Sequence, residues 1–233
     1  MSVIRRPAAD RGHVNIGWLN SKHSFSFGHY YDPKQMGYRS LRVINEDRVR
    51  PNEGFGRHGH RDMEIISYVV SGTLAHADTL GSRGELKRGD VQAMSAGTGI
   101  EHSEFNGSDA EEVHFLQIWI LPQAAGLPTA YAQAHVPDEE KRNRLKLLVS
   151  GDGAAGTLRI NQDARLYASL LEAGANVVHK PAPGRGTWVQ VVAGEVAVNG
   201  EVLRQGDGAA IDNAAEVTIE AVADAEFLLF DLA

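Results

Sequence analysis

The chain has 233 residues, 42% of them apolar, with 30 acidic and 23 basic side chains and a formal charge of -7. That length fits one large domain or two small ones, and the negative balance argues against general nucleic-acid or anionic-membrane binding. There is no cysteine, which excludes disulfides, iron–sulfur clusters, thiolate zinc sites and Cys nucleophiles, so any metal must be held by His, carboxylate or water.

The opening MSVIRRPAADRGH has no apolar core of the kind a secretory signal needs. No apolar run approaches the ~20 residues that span a bilayer, so the expected setting is cytoplasmic and away from membranes. Strand chemistry follows at 41–45, 64–70, 73–77, 91–94 and 113–121. It returns at 145–149, 157–160, 166–171, 188–192, 195–198, 217–222 and 226–230. Branched and aromatic residues dominate many of these runs, and Gly, Asp or Asn usually bounds them. Their polar–apolar alternation is incomplete, which points to strands buried on both faces. One helix is expected, from Asp138 to about Leu147, behind Pro137 and with three acids at its start. Short strands between dispersed glycines, 25 in all, predict an all-β sandwich or barrel.

The two halves share a pattern. Val69-Val70-Ser71-Gly72-Thr73-Leu74, then Leu86-Lys87-Arg88-Gly89-Asp90-Val91, is echoed by Val191-Val192-Ala193-Gly194-Glu195-Val196, then Leu203-Arg204-Gln205-Gly206-Asp207-Gly208. Each half reads as strand, Gly turn, strand and a Gly-Asp turn, where Gly takes a positive φ and Asp bonds its own backbone. Two related β-barrels follow: residues 1–125, a connection over 126–142, and residues 143–233.

Of the 10 histidines, 8 fall in the first 114 residues. His58 and His60 are two apart, so on a strand both point to one face, and Glu64 has the same parity. His102 and Glu104 form a second such pair after the glycine-rich Ser95-Ala96-Gly97-Thr98-Gly99. Two strands facing each other across a barrel would bring three imidazoles and one carboxylate together. That donor set suits Fe(II), Mn, Co, Ni, Cu or Zn rather than Ca or Mg. Spacing alone does not choose between Glu64 and Glu104. For any single histidine the competing reading is an ordinary hydrogen-bonded or surface residue.

The pattern H-x-H-x3-E, followed by Gly99, His102 and Asn106, resembles the two cupin motifs. The stretches HSFSFGHYYDP, FGRHGHRDMEIISYVVSGTLAHAD, MSAGTGIEHSEFN and HFLQIWILP resemble the pirin family, in particular its bacterial bicupin members with quercetinase activity. The resemblance covers most of the chain, with its most specific motifs in residues 11–122. It implies a bicupin, two tandem jelly-roll barrels with little helix. It implies one divalent transition-metal ion, Fe(II) before Cu, Ni, Mn, Co or Zn, on His58, His60, His102 and Glu104. Glu64 then has a structural or supporting role. Glu104 is also the implied catalytic base, taking the 3-hydroxyl proton of a flavonol such as quercetin before dioxygen cleaves the ring and carbon monoxide leaves. The alternative the family offers is a redox-responsive regulator that binds protein partners without turnover. A third class is an isomerase or binder with a redox-inert metal.

Phe55, Tyr68 and Phe105 are the expected pocket walls, with Met94 and His114 beside them. His76 and His114 are candidates to support the ligands, and the segment from His23 to Gly37 is placed over the barrel mouth. Aligning the repeat puts Lys180 and Ala182 at the positions of His58 and His60, and Ile219 and Ala221 at those of His102 and Glu104. The second barrel is therefore read as metal-free and His179 as an ordinary histidine. With both barrels in one chain, a monomer is expected.

Overall fold

A computed structural model describes residues 2–154 and 156–233. The first half contains β1 (Ser2–Arg6), β2 (Gly12–Asn15), β3 (Leu19–His23), β4 (Leu41–Val49), β5 (Gly54–His60), β6 (Glu64–Ser71), β7 (Thr73–Asp78) and β8 (Arg83–Lys87). It continues with β9 (Asp90–Ser95), β10 (Ile100–Asn106), β11 (Val113–Ile120) and β12 (Ala130–His135). After α1 (Asp138–Lys141) come β13 (Lys146–Ser150), β14 (Leu158–Arg159), β15 (Ala164–Leu171), β16 (Asn176–His179) and β17 (Gly186–Ala193). The chain closes with β18 (Glu195–Val198), β19 (Glu201–Arg204), β20 (Gly208–Asp212), β21 (Val217–Ala221) and β22 (Ala225–Leu232).

The fold is a bicupin, and the repeat is its architecture. Each barrel closes a seven-stranded sheet over a four-stranded one: β12-β9-β6-β11-β4-β3-β2 over β5-β10-β7-β8, and β1-β20-β17-β22-β15-β13-β14 over β16-β21-β18-β19. The matched glycines hold matched conformations, with φ of 77° at Gly72 and 75° at Gly194, and 88° at Gly89 and 83° at Gly206. The matched aspartates do the same work. Asp90 accepts the Lys87 amide at 2.7 Å and Asp207 accepts the Arg204 amide at 2.9 Å.

The two large sheets pack on each other. Ile66, Tyr68, Leu116 and Ile118 of one share a core with Leu166, Trp188, Leu228 and Phe230 of the other. The alternate residues of the same strands line the barrel interiors, as Val69 and Phe115 do. Both faces of β6, β11, β17 and β22 are thus covered, which is why their sequences read as near-continuous apolar runs.

Three readings of the sequence change. The helix ends at Lys141, and Lys146 begins β13 instead. Within 126–142, residues 130–135 form β12 and complete the first barrel's sheet beside β9. At the other end of the chain, β1 pairs with β20 of the second barrel from Ser2↔Asp212 to Arg6↔Gly208. The short strands β12 and β20 carry too few branched residues to announce themselves, and pairing with a neighbour makes them.

Candidate metal centre

The centre is built on two neighbouring strands. β5 and β10 pair antiparallel within one sheet, with His102 opposite His58 and Ile100 opposite His60. The expectation that these strands face each other across the barrel is therefore corrected: side-by-side pairing brings the rings together from one face. A register shift between His102 and Glu104, where Glu104 falls opposite Phe55, re-aims the carboxylate.

The three imidazoles converge through their Nε2 atoms. His102 Nε2 lies 3.0 Å from His60 Nε2 and 3.1 Å from His58 Nε2. His58 donates its Nδ1–H to the Gly56 carbonyl at 2.7 Å, which turns the lone pair of Nε2 toward the centre. Burial pushes His60 down to about 4, with the nearby His58 adding to the effect. His102 goes down to about 3 for the same reasons, with His58 and His60 both contributing. Neutral imidazoles with lone pairs aimed at one point are the donors a divalent transition metal requires.

Glu104 stands beside them. It belongs to a second set of close ligand atoms, with His102 and His76, rather than to the three-histidine set. Its carboxylate accepts from Ser67 Oγ at 3.1 Å, Gln92 Nε2 at 3.4 Å and Gln117 Nε2 at 2.6 Å. Burial lifts its pKa to about 7, against the bonds from Ser67 and Gln117 and with help from the Asp47 charge. A carboxylate near neutrality is suited to taking a proton from a hydroxyl.

Glu64 points elsewhere. It accepts from Ser95 Oγ at 2.6 Å and from Asn161 Nδ2 of the second barrel at 3.2 Å. His76 bonds Asp78 at 3.1 Å and stacks on Tyr131, with its ring 5.4 Å from that of His102. A cavity of about 60 Å³ opens beside the centre, lined by His58, His60, Glu104, Phe27, Phe55, Trp119, Asn45, Asp47 and Gln117.

Of the expected walls, Phe55 is in place. Tyr68 is not, because its hydroxyl donates to Glu226 of the second barrel. Phe105 is 40% exposed. Met94 packs with Ile65, Ala96 and Ile100, and His114 bonds Glu46 at 3.0 Å. Phe27 belongs to the segment expected over the barrel mouth, and it does cover the cavity, edge-on to Trp119 at 5.2 Å between centroids. Asn45, Asp47, Gln117 and Trp119 were not anticipated. Their signal is period-2 spacing along 45–47 and 117–119, masked in β11 by burial on both faces.

The second barrel holds no such cluster among the described residues. Its ladder pairs Ile219 with Val177 and Val217 with His179, so the residues in the positions of His58 and His60 are Val177 and His179 rather than Lys180 and Ala182. His179 has no second imidazole beside it and pairs with Asp231 at 3.1 Å.

The sequence matches the Pirin family model over residues 5–120 and the model for a quercetinase C-terminal cupin domain over 147–232. It is 44% identical over 230 residues to a protein of Escherichia coli (strain K12) named quercetin 2,3-dioxygenase, covering 99% of this chain and 98% of the other. The chain belongs to the pirin family. A crystal structure of the family member YhhW from Escherichia coli superposes with a TM-score of 0.96 at 44% identity, covering 100% of this chain and 98% of that one. A second structure, of bacterial pirin YhhW in complex with nickel(II), superposes at 0.94 with the same identity, covering 99% of each chain. A pirin-like protein of Caulobacter vibrioides is 41% identical, covering 99% of this chain and all of the other. In this pirin the cluster of His58, His60 and His102 lies in the first of the two barrels. No helix among the described residues is long and apolar enough to cross a membrane.

Proposed function

We propose that the chain is a metal-dependent dioxygenase that acts on flavonols such as quercetin. The observation that carries the reading is the convergence of three imidazole Nε2 atoms beside a buried carboxylate whose pKa is lifted to about 7. The names of the relatives support it. His58, His60, His102 and Glu104 are the proposed ligands of one divalent transition-metal ion. Fe(II) heads the candidates, and the nickel(II) complex of YhhW adds weight to nickel. When bound by these residues, such an ion would supply a Lewis acid for the 3-hydroxyl.

The protein's own residues do the rest. Glu104 accepts the 3-hydroxyl proton, and Ser67 and Gln117 hold its carboxylate toward that task. Phe27, Phe55 and Trp119 form apolar walls for a planar ring and keep water from the reacting edge. His60 also borders an open groove of about 530 Å³ with Arg61, Thr79 and Ile100, which gives room to the rings that the small cavity cannot take. The balance of the reaction is one flavonol and one dioxygen consumed. Both oxygen atoms enter the depside, the two ring bonds of C3 break, and C3 leaves as carbon monoxide. The reading includes a monomer, since one chain carries both barrels, and a cytoplasmic setting.

Elemental analysis and an oxygen-dependent quercetin assay on one sample test this. The expected result is about one equivalent of metal, quercetin loss only with oxygen, and carbon monoxide release. His58→Ala should lose both metal and turnover. Metal without turnover on any flavonol would overturn the enzyme reading in favour of a regulator.

A further inference from the structure

We infer that Asp47 and Asn45, outside the ligand set, accept from hydroxyls of the substrate other than the one at the metal, with the Trp119 N–H as a donor beside them. The inference rests on the flavonol reading of the site. Asn45 and Asp47 are two apart on β4 and share its inward face, where both are buried, 3% and 4% exposed. Asn45 sits opposite Gln117, which bonds Glu104. All three residues line the cavity that holds His58, His60 and Glu104.

Each of the three has an unsatisfied atom. Asn45 Oδ1, Asp47 Oδ1 and Trp119 Nε1 are buried without a hydrogen-bond partner. Such atoms are rare in folded proteins, and each one left without a partner is costly. Three around one small cavity mark a set of bonds completed by what enters it. Space of about 60 Å³ holds roughly two waters at ~30 Å³ each, and a ligand edge replaces them. The chemistry selects that edge. Two acceptors call for O–H donors, and the indole N–H calls for an oxo or ether oxygen. No Lys or Arg lines the cavity to pair with an anionic substituent. Aromatic walls on Phe27, Phe55 and Trp119 require a flat ring. The ligand class is a neutral polyphenol with a hydroxyl or oxo group near the one held at the metal, and not an aryl carboxylate.

The test is anaerobic titration of the metal-loaded protein, read by the absorption shift of the bound flavonol. The ligands are 3-hydroxyflavone, which has one hydroxyl, galangin, which has three, and quercetin, which has five. The wild type should bind galangin and quercetin at least ~10-fold tighter than 3-hydroxyflavone, the gain expected from one added hydrogen bond. Asp47→Leu, which removes the acceptor at similar volume, should erase that preference while metal content stays at one equivalent. Should Asp47→Leu fold poorly, Asn45→Ala must reduce the preference in its place. Equal weakening of all three ligands, or no preference in the wild type, would overturn the inference and leave the dioxygenase reading intact. The predicted preference without oxygen consumption would keep the inference and remove the dioxygenase. No binding of any flavonol would remove both.

Discussion

Glu104 is 2% exposed, and its raised pKa has a consequence for folding that does not depend on catalysis. A carboxyl whose folded pKa lies above its unfolded value contributes stability at low pH and loses it as pH rises toward the folded value. For Glu104 the window runs from its unperturbed 4.5 up to about 7. In protein stripped of metal, Glu104→Gln should therefore raise the melting temperature at pH 8 by several degrees, about 1–2 kcal/mol, and change it little at pH 5. His60 and His102 titrate in both proteins, and Asp47, whose charge faces Glu104, is relieved of repulsion in the variant and moves the difference in the same direction. A thermal melt at the two pH values decides it, and an equal shift at both would contradict the assignment. Glu64 shows what residue type alone leaves open. It has the parity of a ligand in the sequence, yet Ser95 and Asn161 hold it between the barrels.

At the scale of the element, the turns are the most legible feature. Gly194 has φ of 75°, and a Cβ there would lie 2.0 Å from the Asp224 carbonyl oxygen and 2.8 Å from Ala225 Cα. The chain folds tightly against backbone that cannot yield, so Gly194→Ala should cost more than about 1 kcal/mol. Because Gly194 lies in the barrel without the histidine cluster, metal content should be unchanged. Chemical denaturation with metal analysis checks both. The helix is the opposite case. Asp138 to Leu147 has the right caps, but Asn143 takes φ of 52° and breaks the run. Lys146 and Leu147 then pair with Ala168 and Tyr167 of β15. Burying Leu148 and Val149 in the seam between barrels outweighs a local helical preference.

For the whole molecule, the seam between the barrels joins more than apolar faces. Tyr68 donates to Glu226, which Arg88 also meets at 3.1 Å, and Arg88 reaches Asp138 at 3.4 Å. Burial and the Glu226 carboxylate together push the Tyr68 hydroxyl well above its usual range, so it stays a donor at any working pH. Tyr68→Phe leaves Glu226, 5% exposed, without that donor, and should destabilise the protein by about 1–3 kcal/mol. Metal stoichiometry should hold, because Tyr68 faces the second barrel rather than the imidazoles. A loss of metal in this variant would show that the seam controls the site. β1 ties the start of the chain to the second barrel, with Arg5 bonding Asp207 at 2.7 Å.

The sequence by itself determined what local chemistry can determine. Repeated Gly-Asp turns require their backbone conformations, alternate histidines on a strand must share a face, and a chain without cysteine must bind metal through nitrogen and oxygen. Those facts were enough for two barrels and for bringing His58, His60 and His102 forward as partners. Tertiary structure decided the rest, because it depends on which strand lies next to which. β11 is buried on both sides, so nothing in its composition says which parity faces the site, and Asn45 and Asp47 are recognised only through their pairing with β11. The adjacency of β5 and β10, the bulge at Glu104, and the exchange of β1 into the far sheet all arise from pairing between residues distant in sequence, where hydrogen bonds and shared burial choose the partner.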